Sequence, residues 1–135
     1  MMTPIEASRL VSFGLVVLIW LVQGVIYPTF AEIAPERFTV WHAGYTRAVT
    51  WIVMPLMFGQ VALLGWLLVV RPSPAGYLAA GMVAVAWVAT FALAVPDHGR
   101  LQSLGLDRSV VARLVVTNWI RTAAWTLAFL LLFVA

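Results

Sequence analysis

Four stretches of this chain are long and apolar enough to cross a bilayer. A span needs about 20 apolar residues to cover about 30 Å of hydrocarbon. The four run from about Leu10 to Phe30, Tyr45 to Val70, Tyr77 to Val95 and Ser109 to Ala135. Lipid offers no partners to backbone polar groups, so only helices and closed barrels cross it, and these runs are too long for barrel strands. The fold expected is an all-α membrane protein: an antiparallel four-helix transmembrane bundle forming one domain over residues 1–135. Composition agrees. Apolar residues make up 64% and charged residues 10%, against roughly 45–50% and about 25% in soluble domains. The first run lacks a cationic start and a small-residue cleavage site, so it reads as a retained span. The absence of cysteine removes disulfides, thiolate metal sites and cysteine nucleophiles. No basic patch with interleaved aromatics suggests nucleic acid.

The connections carry their own signals. RPSPAG (Arg71 to Gly76) reads as a turn, and PDHGRLQSLGLDRS (Pro96 to Ser109) as a polar loop with Ser109 capping the last span. PERFTVWHAGY (Pro35 to Tyr45) reads as a short interfacial helix between spans one and two, bent at Gly44. Pro55 predicts a kink in span two. Gly14, Gly24, Gly59, Gly65 and Gly81 would let helices approach closely. YTRAVTW (Tyr45 to Trp51) and WIRTAAW (Trp119 to Trp125) share an aromatic-x-Arg-x-x-x-Trp pattern. This pattern suggests two hairpin repeats, 10–71 and 76–135.

All eight cations are arginines. Arg37, Arg47, Arg100, Arg108 and Arg113 fall at the end with the two longer loops, and Arg9 and Arg71 at the end holding both termini. The positive-inside rule then puts the two loops in the cytoplasm and both termini outside.

Arg121 sits inside the last span. Counting back from Ala135 places it about 21 Å from one surface, well below the other. Asn118, Arg121, Thr122 and Trp125 share one helix face. A charge at that depth costs about 2.5–3.5 kcal/mol on the gentlest scale, so this face looks inward. Two readings of Arg121 stand: a closed bridge to Asp97 or Glu32, or a group that holds a ligand. Trp20, Gln23 and Tyr27 line up on span one. His42, Tyr45 and Arg47 open span two, and Asp97, His98 and Arg100 close span three. Apart from Gln60, polarity gathers in the membrane half near the two loops, and spans one, three and four are almost wholly apolar in the other half.

The stretches IYPTF (Ile26 to Phe30), WHAGY (Trp41 to Tyr45), PLM (Pro55 to Met57), VPDHGRL (Val95 to Leu101) and TNWIRTAAW (Thr117 to Trp125) together resemble a group of small bacterial four-span membrane proteins of unassigned function. In size and layout the chain is distantly similar to anthrone-oxygenase-like membrane proteins. The resemblance covers nearly the whole chain. Where that group often has two further histidines and a glutamate, this chain has Ile26, Tyr45 and Gln60. His42, His98, Asn118 and Arg121 match the group's pattern.

The function expected is a polar pocket in the cytoplasmic half of the bundle, binding or transforming a hydrophobic small molecule with an anionic or carbonyl head. Arg47 and Arg121 would hold the head, and Tyr27, Gln23, Tyr45 and Asn118 would orient it. His42 and His98, with Arg121, are the catalytic candidates for moving a proton. An oxygenase or an isomerase acting on a lipid-like or aromatic substrate is the enzyme reading. His42, His98 and Asp97 are the candidate ligands of a metal ion. The alternative is a non-enzymatic subunit with a structural polar network, bound to a second copy or a membrane partner protein. A transporter would need polar groups through both halves.

Overall fold

A computed structural model describes residues 1–135. It contains helices and no strands, and four rods dominate. These are α1 (Pro4–Glu32), α2 (Pro35–Val70), α3 (Pro74–Leu104) and α4 (Arg108–Leu131), each long and apolar enough to cross a membrane. α1 packs on α2 and α4, and α4 packs on α3, while the contact of α2 with α3 is the loosest of the four. The chain is thus an antiparallel four-helix bundle of multi-pass membrane type.

Local chemistry sets the ends. Thr3 and Glu6 form a reciprocal capping box, which starts α1 six residues before the apolar run. α2 starts with Pro35 in its first turn and continues unbroken to Val70. The segment Pro35–Tyr45 is therefore helical but is the opening of α2, not a separate interfacial helix, and no break falls at Gly44. At 36 residues, α2 is about 54 Å long, so its first turns reach beyond the hydrocarbon. The expected loop Pro96–Ser109 is mostly helix. Pro96 and Asp97 suit a first turn, and α3 continues to Leu104, where Gly105 takes φ 85°. The cap of α4 is Asp107 rather than Ser109: its carboxylate accepts the Ser109 and Val110 amides at 2.8 and 3.3 Å.

Two wide turns interrupt the rods. Val22–Ile26 in α1 and Thr90–Ala94 in α3 are π-helical, and each lies just before an X-Pro pair, Tyr27-Pro28 and Val95-Pro96. Proline has no N–H and crowds the carbonyl four residues back. The turn ahead of it widens instead: the Tyr27 amide donates to Val22 O and the Val95 amide to Thr90 O. Such a turn inserts a residue and changes which face follows. Trp20 therefore lies on the lipid side, half exposed, while Gln23 and Tyr27 beyond it are buried.

Two expectations about the interior change. Added Cβ atoms at Gly24, Gly65 and Gly81 would meet nothing within 4 Å, and those at Gly14 and Gly59 would make ordinary contacts. The close approach is at Gly76, where a Cβ would stand 2.9 Å from Leu68 Cδ2. The half away from the two loops also has a polar interior. Ser8, Ser12 and Gln60 are buried there, and the Gln60 amide donates to Ser12 Oγ at 3.0 Å while its carbonyl accepts Trp125 Nε1–H at 3.1 Å.

Candidate functional site

The wide turns deliver Tyr27 from α1 and His98 from α3 to the bundle interior. His42, on the buried face of α2, and Arg121, on that of α4, meet them there. The four form one file. Arg121 Nη1 donates to Tyr27 Oη at 3.2 Å. Tyr27 Oη lies 3.0 Å from His98 Nε2, His98 Nδ1 lies 2.9 Å from His42 Nε2, and His42 Nδ1 lies 2.8 Å from Gln102 Oε1.

The ends of the file fix its direction. Arginine has no acceptor, so Tyr27 Oη must accept from it and is free to donate its own proton to His98 Nε2. At the other end the Gln102 amide nitrogen donates to Thr39 O at 3.2 Å, which turns its oxygen to His42. His42 therefore donates from Nδ1 and accepts at Nε2, and His98 donates from Nδ1. With both rings neutral, each carries its proton on Nδ1. An extra proton on His42 Nε2 would set donor against donor at 2.9 Å.

A cavity of about 190 Å³ adjoins this file and is lined by 18 residues, 13 of them hydrophobic. Tyr27, Tyr45, His98, Arg121 and Trp125 are among its walls. Its exposed rim residues Thr50, Phe91 and Val95 lie on α2 and α3, so it opens where those helices pack most loosely.

Arg121 is 7% exposed and has no carboxylate partner. Its Nη1 bonds Tyr27, its Cζ stands 5.3 Å from the Trp125 ring centroid, and its Nε is buried without a partner. The closed bridge to Asp97 does not form. Asp97 takes two bonds from Arg113 instead, with Nε to Oδ2 at 3.0 Å and Nη2 to Oδ1. Glu32 lies exposed at the end of α1.

Other candidate residues lie elsewhere. Arg47 is exposed and borders a shallow outer groove with Ala43, Thr46 and Gln102. The shared aromatic-Arg pattern falls out of phase. In α4 Trp119 faces outward and Arg121 inward, whereas in α2 Tyr45 turns inward and Arg47 outward. Gln23 and Asn118 form a knot with Thr122 between α1 and α4, away from the cavity walls. Asn118 donates to Gln23 Oε1 at 3.0 Å, and Gln23 donates to Val115 O at 3.1 Å. His42, His98 and Asp97 do not gather into a metal-holding group. The two rings bond each other, and the carboxylate is turned to Arg113. Gln102 was not anticipated; its position four residues after His98 on the same helix face is the signal that could have found it.

No protein-family model, curated protein or solved structure matches the chain, so the site rests on its own geometry.

Proposed function

We propose that this protein binds a small hydrophobic molecule with a carboxylate or carbonyl head in the cavity beside Arg121. The observation that carries this reading is a buried guanidinium with one hydrogen bond, no anion and an unpaired Nε. Burying a cation without a partner is costly, and such groups inside membranes mark ligand or ion sites. With Nη1 held by Tyr27 and Nε buried, Nη2 is the nitrogen left to meet a ligand oxygen. The apolar walls suit the rest of the molecule. A cavity of about 150 Å³ holds benzene, so a single aromatic ring or a short chain fits here.

In this reading the protein sits in a bacterial inner membrane with the Gln102 end of the bundle in the cytoplasm. The arginine excess at that end supports the orientation. Ligand and lipid are its partners. The Gln23–Asn118–Thr122 knot favours a second reading, a bundle whose polar groups only fix helix register.

Thermal unfolding in lipid nanodiscs with benzoate and benzyl alcohol separates the two. Binding to the native state raises the midpoint. Benzoate should raise it in the wild type but not in Arg121→Gln, and benzyl alcohol should act on both alike. A benzoate effect that survives in a folded Arg121→Gln protein overturns the ligand reading.

A further inference from the structure

We infer that Tyr27, His98 and His42 form a proton relay that borrows a proton from a carbon acid held at Arg121 and returns it, making the site a tautomerase or double-bond isomerase for small aryl or alkyl keto acids. The inference rests on the ligand reading above and adds to it the substrate class and the reaction.

The relay is continuous and points one way. Every bond from Tyr27 to His42 has its donor on the cavity side, at 3.0 and 2.9 Å. A carbonyl oxygen on Arg121 acidifies the neighbouring C–H. When that bond breaks, its electron pair moves into the carbonyl, and the enolate oxygen is held by the guanidinium. The proton goes to Tyr27 Oη as Tyr27 passes its own to His98 Nε2, and the His98 Nδ1 proton passes to His42 Nε2. One C–H bond is lost and one N–H bond gained. Tyr27 and His98 end neutral, and the positive charge rests on His42. The proton returns by the reverse steps to another carbon or to the enolate oxygen, so no oxidant or reductant is required.

The direction of the file decides between this chemistry and transport. After one passage every hydrogen in it is reversed, and His98 carries its proton on Nε2. A second proton cannot follow until both rings turn over, and His42, with no exposed surface, is packed at Phe38 with ring centroids 5.4 Å apart and planes at 19°. Sending the first proton back resets the file without ring rotation. A reaction with no net proton change suits this device, and steady proton flow does not. The ionisable groups facing the relay are Tyr27 from α1, His42 and Tyr45 from α2, Asp97 and His98 from α3, and Arg121 from α4, with Asp97 already committed to Arg113. None is a free carboxylate that would trap the proton. The His42 end meets water only past Gln102, which is exposed.

Phenylpyruvate tests the inference, because its benzylic C–H is a carbon acid beside a ketone and a carboxylate. The protein in nanodiscs in D2O is followed by NMR for loss of that C–H and by absorbance for keto–enol interconversion, with thermal unfolding reporting binding. Wild type should exchange about 100-fold faster than empty nanodiscs, the usual size of a general acid–base contribution. Tyr27→Phe and His98→Gln should fall to the blank rate yet still be raised in midpoint by phenylpyruvate, showing that they fold and bind. His42→Gln removes the group on which the proton comes to rest, so it should lose both interconversion and deuterium wash-in while phenylpyruvate still raises its midpoint. A wild type that binds phenylpyruvate but exchanges no faster than empty nanodiscs overturns the relay and leaves the ligand reading standing. So does Tyr27→Phe or His42→Gln exchanging at the wild-type rate. A wild type whose midpoint phenylpyruvate does not move overturns both.

Discussion

Asp97 gives both carboxylate oxygens to Arg113, and Arg121 is thereby left without an anion. The pair is unequal: the Asp97 side chain is 5% exposed and that of Arg113 45%. Removing Arg113 strands a buried carboxylate, while removing the Asp97 charge strands a cation that water already reaches. Arg113→Gln should therefore cost clearly more than Asp97→Asn, with the double variant close to Asp97→Asn. Equilibrium unfolding of the three variants checks the order. Equal costs for the two single changes would contradict it.

Gln60 joins α1, α2 and α4 through Ser12 and Trp125. Gln60→Leu leaves the Trp125 N–H and the Ser12 hydroxyl unpaired in a dry interior. The expected loss is about 1–2 kcal/mol, modest because polar pairs inside membranes contribute little each. Ser12→Ala in the same background should cost almost nothing more, since the hydroxyl has already lost its donor. Unfolding of the double variant measures that coupling.

Much of this was legible in the residues. Apolar run length marks four spans, and the i, i+3, i+4, i+7 spacing of Asn118, Arg121, Thr122 and Trp125 marks the inward face, all four being buried. Less legible features depend on single-residue register. A wide turn has no composition of its own, yet it separates Trp20 from the face of Gln23 and Tyr27. Ser8 and Ser12 are small enough to pass as apolar in a hydropathy count, though they carry polarity into the other half. The pairing of Asp97 with Arg113 across the α3–α4 corner is a tertiary choice between several arginines, and spacing does not make it. Arg47 and Arg121 share a pattern but sit on opposite phases of their helices, and only packing distinguishes them.

Asp107 gives a pH prediction. Its carboxylate accepts the Ser109 hydroxyl at 2.6 Å and the Ser109 and Val110 amides. These bonds, that from the Ser109 side chain first, hold it below the ordinary value of 3.8. A depressed carboxylate contributes stability that is complete above its unfolded value and is lost as pH falls through the folded one. The start of α4 should stay capped from neutral pH down to about 4 and fray below it. Amide exchange at Ser109 and Val110 should rise over that acid range beyond the intrinsic trend. Asp107→Asn, which keeps an acceptor oxygen, should flatten the dependence.

The tautomers of His42 and His98 are the most direct prediction from the file's direction. Arg121 can only donate and Thr39 O can only accept, and these two fixed ends lie on opposite sides of the same five bonds. A ring with its proton on Nε2 would break the order at two contacts at once, and an imidazolium would break it at one. Nitrogen-15 NMR of histidine-labelled protein at neutral pH should show Nδ1 protonated and Nε2 bare in both rings. Gln102→Leu removes the acceptor that holds the far end, so His42 should begin to sample the other tautomer while Tyr27→Phe should loosen His98 first. A protonated Nε2 on either ring of the unliganded wild type would contradict the direction, and with it the reason for reading the file as a relay.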